Sequence, residues 1–164
     1  MIFAITGKIK IAAVYLIFFS RYFTSSIMKA YISISYNKRK SLSETVNSIT
    51  ATLAEFNIES FVFVDHHKFA AAEEKAMMQQ CVKEIDSCDM LVAETSDKAI
   101  GIGIEVGYAK AKNKPVIYIR HKDAEHSTTV SGISDFQIIY TNSSNINQPL
   151  AATIINVLKI TGKN

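Results

Sequence analysis

The sequence predicts an α/β fold, a doubly wound five-stranded parallel sheet of flavodoxin-like or Rossmann-like build. Three observations predict it. From Met28 onward, short β-branched and aromatic runs alternate with longer amphipathic stretches, a pattern that implies parallel pairing and helices on both faces. Polar residues gather just after the carboxyl ends of those runs, where ligands bind in open parallel sheets. The length of 164 residues, with 48% hydrophobic and 20% charged residues, suits one domain with a single core.

The elements follow in order. Ala30–Ser35 reads as the first strand, followed by polar residues 36–40. Ser41-Leu-Ser-Glu44 has the capping-box form and opens a helix to about Phe56;. Phe61–Val64 is a short strand ending at Asp65-His66-His67, and the Ala-, Glu-, Lys- and Met-rich stretch from Ala70 to about Ser87 favours helix;. Met90–Ala93 is the third strand and Ile104–Lys112 the third helix. Pro115–Ile119 is a strand with its proline at the start, where a missing N–H is tolerated;. Phe136–Tyr140 is the fifth strand and Gln148–Ile160 the closing helix.

Residues 1–27 stand apart from this pattern. Lys8 and Lys10 precede the apolar run 11–19, which is too short to span a bilayer comfortably. It has the shape of a signal peptide but no A-x-A-like cleavage site. The expected domain is therefore 28–164, with 1–27 an apolar extension, an over-long start or a weak signal or anchor. A net charge of +3 with scattered basic residues does not point to nucleic acid;. Cys81 and Cys88 fit no zinc pattern or disulfide framework;. The expectation is a cytoplasmic protein with no metal or organic cofactor and no membrane partner.

Four loops supply candidate site residues. Glu94–Glu105 carries Gly101 and Gly103, which leave backbone bare to a ligand;. Glu105 stands at the expected start of a helix, in the positive end of its dipole. Such a carboxylate is a candidate nucleophile for sugar chemistry, or simply a helix-start acid beside two turn glycines. Ser33, Ser35, Asn37, Lys38 and Arg39 form a polar loop that suits an anionic group or is a solvated basic turn;. His66 and His67 could touch a ligand's base or lie at the surface, and without a third ligand at a suitable spacing they imply no metal; of this segment, Asp65 and His66 are the residues expected near the base. Ser127–Gly132 offers hydroxyls and N–H groups to an anion, or is a plain loop.

From Met28 to about Tyr140 the chain resembles the nucleoside 2-deoxyribosyltransferase-like family. It is most similar to the branch of 2'-deoxynucleoside 5'-monophosphate N-glycosidases. The resemblance rests on Cys88-Asp-Met-Leu-Val-Ala-Glu94, Ile100-Gly-Ile-Gly-Ile-Glu-Val-Gly-Tyr-Ala109 and Lys112-Asn-Lys-Pro-Val-Ile117, supported by Ala30-Tyr31, Val64-Asp-His66 and Ser127–Gly132. It implies that Glu105 attacks the anomeric carbon of a deoxyribose and displaces the base. It further implies that Tyr31 orients that carboxylate and that Ser127 reaches the 5'-phosphate across a homodimer interface. Release to water gives hydrolysis, and capture by a second base gives transfer. Four positions depart from the pattern: Cys81 replaces an aspartate, Ala99 a serine, Asn37 an arginine and Ile34 a glycine. Asp86 and Glu84 lie close to Cys81 in sequence, but only residues three or four apart share a helix face.

Two function classes remain. One is an enzyme acting at the N-glycosidic bond of a 2'-deoxynucleoside or its 5'-monophosphate. The other is a nucleotide-binding or signalling module with little turnover, since Tyr31-Ile-Ser-Ile-Ser-Tyr36 also resembles Toll/interleukin-receptor-like domains. A membrane-tethered form held by residues 11–19 is a third reading.

Overall fold

The computed structural model describes residues 27–162. Almost all of the expected N-terminal extension lies outside these residues. Five strands form one parallel sheet: β1 (Lys29–Ser33), β2 (Glu59–Val62), β3 (Met90–Glu94), β4 (Val116–His121) and β5 (Phe136–Tyr140). Their order is β2-β1-β3-β4-β5, with every neighbouring pair parallel. This is the flavodoxin-like order. The strand order reverses at β1, so the crevice beyond the carboxyl ends of β1 and β3 is where such sheets receive ligands.

The helices are α1 (Ser43–Glu55), the single turn α2 (Phe63–His66), α3 (Glu74–Ser87), α4 (Ile100–Ala111), the short α5 (Thr128–Ile133) and α6 (Asn147–Thr161). Strand alternation sends side chains to two separate cores. Ala30, Ile32, Val92, Ile117 and Ile119 pack with Val46, Ile49 and Leu53 of α1 and Leu150, Ile154 and Val157 of α6. Tyr31, Leu91, Ala93 and Tyr118 face the other way, onto Cys81 and Ile85 of α3 and Ile102, Val106 and Ala109 of α4. Each fully buried aliphatic side chain contributes roughly 1.5–3 kcal/mol, so the two layers jointly fix the sheet between them.

Several boundaries differ from the sequence expectations, for local reasons. The Ser41–Glu44 capping box does not form. Leu42 occupies the N-cap without a side-chain cap bond, and the hydroxyls of Ser41 and Ser43 donate backward to Lys38 O at 2.9 Å and Lys40 O at 2.8 Å. The chain reaches α1 through a 3-10 turn at Tyr36–Lys38, so its backbone is already coiled before the first hydroxyl. The second strand ends at Val62, and Phe63 and Val64 turn into α2. Phe63 thereby packs into the core that contains Tyr31. Residues 70–73, expected as helix, precede α3, which begins at Glu74.

The correction of most consequence concerns the third helix. It begins at Ile100, not Ile104, so Gly101 and Gly103 are helical and Glu105 sits in the second turn. The buried stripe Ile102, Val106 and Ala109 shows why: the helical period is already present before the glycines end. The helix-dipole argument for Glu105 loses force there, because that effect fades beyond the first turn.

Candidate active site

Glu105 projects from α4 towards the carboxyl end of β1. Its Oε1 accepts a hydrogen bond from the Tyr31 hydroxyl at 2.9 Å and one from the Cys81 thiol at 3.4 Å. Its Oε2 accepts from the Ser33 hydroxyl. Tyr31 Oη and Cys81 Sγ are themselves 3.6 Å apart. Two elements thus converge on the carboxylate that α4 carries: β1 through Tyr31 and Ser33, and α3 through Cys81. Tyr31 and Ser33 reach it together because positions two apart on a strand share a face.

The electrostatics are those of a charge held by neutral donors. Burial pushes the Glu105 carboxyl above its ordinary value, and the bonds from Ser33, Tyr31 and Cys81 pull partly against that. Burial also raises Tyr31, helped by the neighbouring Glu105 and Cys81. The Cys81 thiol is pushed up to about 12, chiefly by burial and then by Glu105. Tyr31 and Cys81 therefore keep their protons at neutral pH and serve as donors. An ionised Glu105 here keeps its full negative charge, since none of these partners is a cation.

Glu105 lies on the wall of a cavity of about 620 Å³. Phe63, Phe69, Met77, Met78 and Ile102 make much of that wall apolar, and His67, Lys68 and Cys81 add polar atoms. The His67 ring lies 5.0 Å from Phe63 and 5.9 Å from Phe69, centroid to centroid, with Nε2 3.4 Å from Glu84 Oε1. Size and lining suit a flat heteroaromatic group with a sugar attached.

The other expected site residues fall into three groups. Gly101 lines the same cavity, and a Cβ on either Gly101 or Gly103 would meet nothing within 4 Å. Their bareness therefore opens space and does not serve helix packing. Gly103 and Ser127 instead line an adjoining cleft of about 240 Å³ with Asp97 and Thr129, separated from the main cavity by Ala99 and Ile102, which border both. Ser35 is buried and donates to Asp97 Oδ2 at 2.6 Å.

The basic loop and the Asp65-His66 pair sit away from the cavity lining. Arg39 is held to Asp65 by two parallel bonds, Nε to Oδ1 and Nη2 to Oδ2, each 2.7 Å. Asn37 and Lys38 belong to the 3-10 turn, and neither is buried. His66 stacks on Phe61 with centroids 4.6 Å apart, and its Nδ1 lies 2.9 Å from Val62 O. The histidine that lines the cavity is His67, because the α2 turn rotates the chain just after the strand. Asp86, five residues from Cys81, lies on another face of α3, whereas Glu84, three residues on, shares that side by spacing but is held by other partners;. Asp86 meets Tyr108 and Lys112, while Glu84 meets His67 and Gln80.

Sequence reasoning offered both histidines and favoured His66 over His67, and it missed the apolar wall and Asp97. The wall had a signal in Met77-Met78, which precede Cys81 by one helical turn. Asp97 had none beyond its place in the loop after β3. Glu94, fully buried, accepts from Tyr140 Oη at 3.0 Å and from the Ser96 amide and hydroxyl. It ties the β3–α4 loop to β5 and does not line the Glu105 cavity. Among the described residues, no group of three or more His, Cys, Asp or Glu side chains gathers to hold a metal. No helix among them is long and apolar enough to cross a membrane.

Comparisons with known proteins place these features in context. The family model described as nucleoside 2-deoxyribosyltransferase matches residues 31–149. A curated putative 2'-deoxynucleoside 5'-phosphate N-hydrolase from Syntrophotalea carbinolica is 46% identical over 41 residues. That match covers 25% of this chain, and the chain spans only 29% of the relative's length. A conserved protein from Enterococcus faecalis superposes with a TM-score of 0.62 at 14% identity, covering 78% of this chain and 99% of its own. A 2-deoxyribosyltransferase from Bacillus psychrosaccharolyticus gives 0.58 at 13%, covering 77% and 95%. A CMP N-glycosidase from Clostridium botulinum gives 0.55 at 18%, covering 76% and 98%. At these identities the structural likenesses speak for the fold.

Proposed function

The chain belongs to the nucleoside 2-deoxyribosyltransferase family, and from that premise we propose that it cleaves the N-glycosidic bond of a 2'-deoxynucleoside or its 5'-monophosphate, with Glu105 as nucleophile. The observation that carries the reading is a carboxylate fixed by three neutral donors on the wall of a cavity large enough for a nucleoside. Glu105 attacks the anomeric carbon as the bond to the base breaks, and the bonding pair leaves with the base nitrogen. The result is a deoxyribosyl ester on Glu105. Water or a second base then attacks the same carbon and frees the carboxylate. The transition state carries positive charge on the sugar, and a nearby negative charge that is not neutralised by a cation stabilises it.

The remaining residues take supporting roles. Tyr31, Ser33 and Cys81 orient Glu105. Gly101 leaves room for the sugar, and Phe63, Phe69, Met77 and Met78 hold the base with His67 beside it. Ser127 acts on the sugar's far end across a homodimer interface. Support for that interface is the apolar exposure beside the cleft, where Ile100, Ile104 and Ile133 stand open on the packed pair α4 and α5. Lys38 and Arg39 influence an anionic substrate only from outside the cavity lining.

The test is incubation with deoxynucleosides and their monophosphates, with and without an acceptor base, following free base by chromatography. Base release that is lost in Glu105→Gln supports the reading. Binding without release by the wild type contradicts it.

A further inference from the structure

Breaking an N-glycosidic bond leaves the bonding pair on a base nitrogen, and a base that gains a proton departs far more readily than its anion. Glu105 cannot supply that proton, because it attacks as the carboxylate. The Cys81 thiol is pushed up to about 12 and already donates to Glu105. Tyr36 is 72% exposed, and Lys68 is exposed too. His67 is a partly buried imidazole on the cavity wall, among the aromatic and thioether side chains that face the base. Imidazole is the side chain that most readily gives and takes a proton near neutral pH.

The surroundings of the ring favour its charged form. Nε2 is shut off from solvent with no hydrogen-bond partner, yet it lies 3.4 Å from Glu84 Oε1. Glu84 is itself held in place: Gln80 Nε2 donates to Oε1 at 2.6 Å, and Lys29 Nζ stands 3.9 Å from Oε2. A carboxylate beside the ring stabilises the imidazolium. With Nε2 turned to Glu84, the nitrogen left to a ligand is Nδ1. Cys81, Glu105 and Lys68 share the cavity with this ring, and Asp65 and His66 precede it in the chain.

We propose that His67, backed by Glu84, is the general acid that protonates the leaving base through Nδ1. This rests on the glycosidic function proposed above and adds to it the residue that makes the base a leaving group. As the bond breaks, its electron pair goes to the base nitrogen and the Nδ1 proton passes to the base. The ring is left neutral, with its remaining proton on Nε2 towards Glu84. When water attacks the deoxyribosyl ester, its proton goes to Nδ1 and the Glu105 carboxylate is freed, so the imidazolium is restored. Glu84 is a positioning residue, acting only through the ring.

The experiment uses the full-length protein with two substrates. One is the natural deoxynucleoside or monophosphate it cleaves fastest. The other is 7-methyl-2'-deoxyguanosine, whose positively charged base leaves neutral without taking a proton. His67→Phe keeps a ring beside Phe63 and Phe69 and removes the proton. It should lower kcat ~100-fold on the natural substrate and abolish the alkaline limb of its pH profile, while kcat on the methylated substrate stays within about threefold. Glu84→Gln should move that alkaline limb to lower pH, because the imidazolium loses a stabilising charge. Equal loss on both substrates, or an alkaline limb unchanged in His67→Phe, overturns the assignment of His67 and leaves Glu105 as nucleophile. If the methylated substrate is not cleaved, the pH profiles on the natural one decide; if His67→Phe does not fold, the Glu84→Gln profile decides, and an unmoved limb overturns the assignment. Release of base by the wild type from none of the substrates overturns the glycosidic reading as well.

Discussion

The Tyr31 hydroxyl donates to Glu105 Oε1 across 2.9 Å, joining the centre of β1 to the second turn of α4 over a separation of 74 residues. Tyr31 is fully buried, and its ring packs near Phe61 and Phe63 with centroids about 6 Å apart. The core thus fixes where the hydroxyl points, and the hydroxyl fixes the carboxylate. In this account a core side chain aims the reactive group.

Tyr31→Phe keeps that packing and removes only the donor. A hydrogen bond to a charged group is worth roughly 1.5–3 kcal/mol, so kcat should fall by ~10- to 100-fold while KM changes little. Steady-state release of free base measures both. An unchanged kcat would remove Tyr31 from the machinery.

Cys81 separates charge from hydrogen bonding. Cys81→Ser retains a donor and should keep kcat within about tenfold of wild type, whereas Cys81→Asp places a like charge beside Glu105. The aspartate variant should move the acid limb of the pH–rate profile upward, because a second carboxylate raises the proton affinity of the first. Profiles of kcat/KM for the two variants would show this. Coincident acid limbs would contradict the proposed contact.

Burial lifts the Glu105 carboxyl above its ordinary value, which sets two pH dependences. Activity needs the ionised form, so it should fall as pH drops through a value above the usual carboxylate range. For stability the sign is opposite. A carboxyl whose folded-state proton affinity is raised binds more protons folded than unfolded, so its contribution is fully present at low pH and is lost as pH rises through the folded-state value. Glu105→Gln should therefore be more stable than wild type at neutral pH, by roughly 0.5–2 kcal/mol. That gain should shrink on acidification, as thermal melts at several pH values would show.

The two adjacent histidines should behave differently. His67 lines the cavity and His66 does not. His67→Ala should raise KM for the nucleoside several-fold, losing an aromatic contact worth roughly 0.5–1.5 kcal/mol. His66→Ala loses stacking on Phe61 and should act mainly on thermal stability. Equal kinetic effects from the two variants would contradict the placement of the α2 turn.

The parallel sheet and its alternating helices were legible in the sequence because each strand is a compact apolar run and each long helix has its own period, and the structure decides the flavodoxin-like strand order. Glu105 was legible through its glycine-flanked motif. The residues around it were harder to see. Whether His66 or His67 faces the cavity depends on where β2 gives way to α2, and no single residue marks that boundary. Arg39 looked like a free cation until the fold placed Asp65 against it. Helix α5 spans only six residues, too few for a period to show. Asp97 became visible only when Ser35 was seen to hold it, a contact 62 residues apart.

The central claim is that Glu105 bonds to the sugar. The most direct measurement is rapid quenching of the enzyme with excess deoxynucleoside, then peptide mass spectrometry of the segment containing Glu105. The account predicts a deoxyribosyl adduct on that residue in the wild type and neither adduct nor base release in Glu105→Gln. Base release at wild-type rate by Glu105→Gln, or an adduct on a different residue, would contradict it.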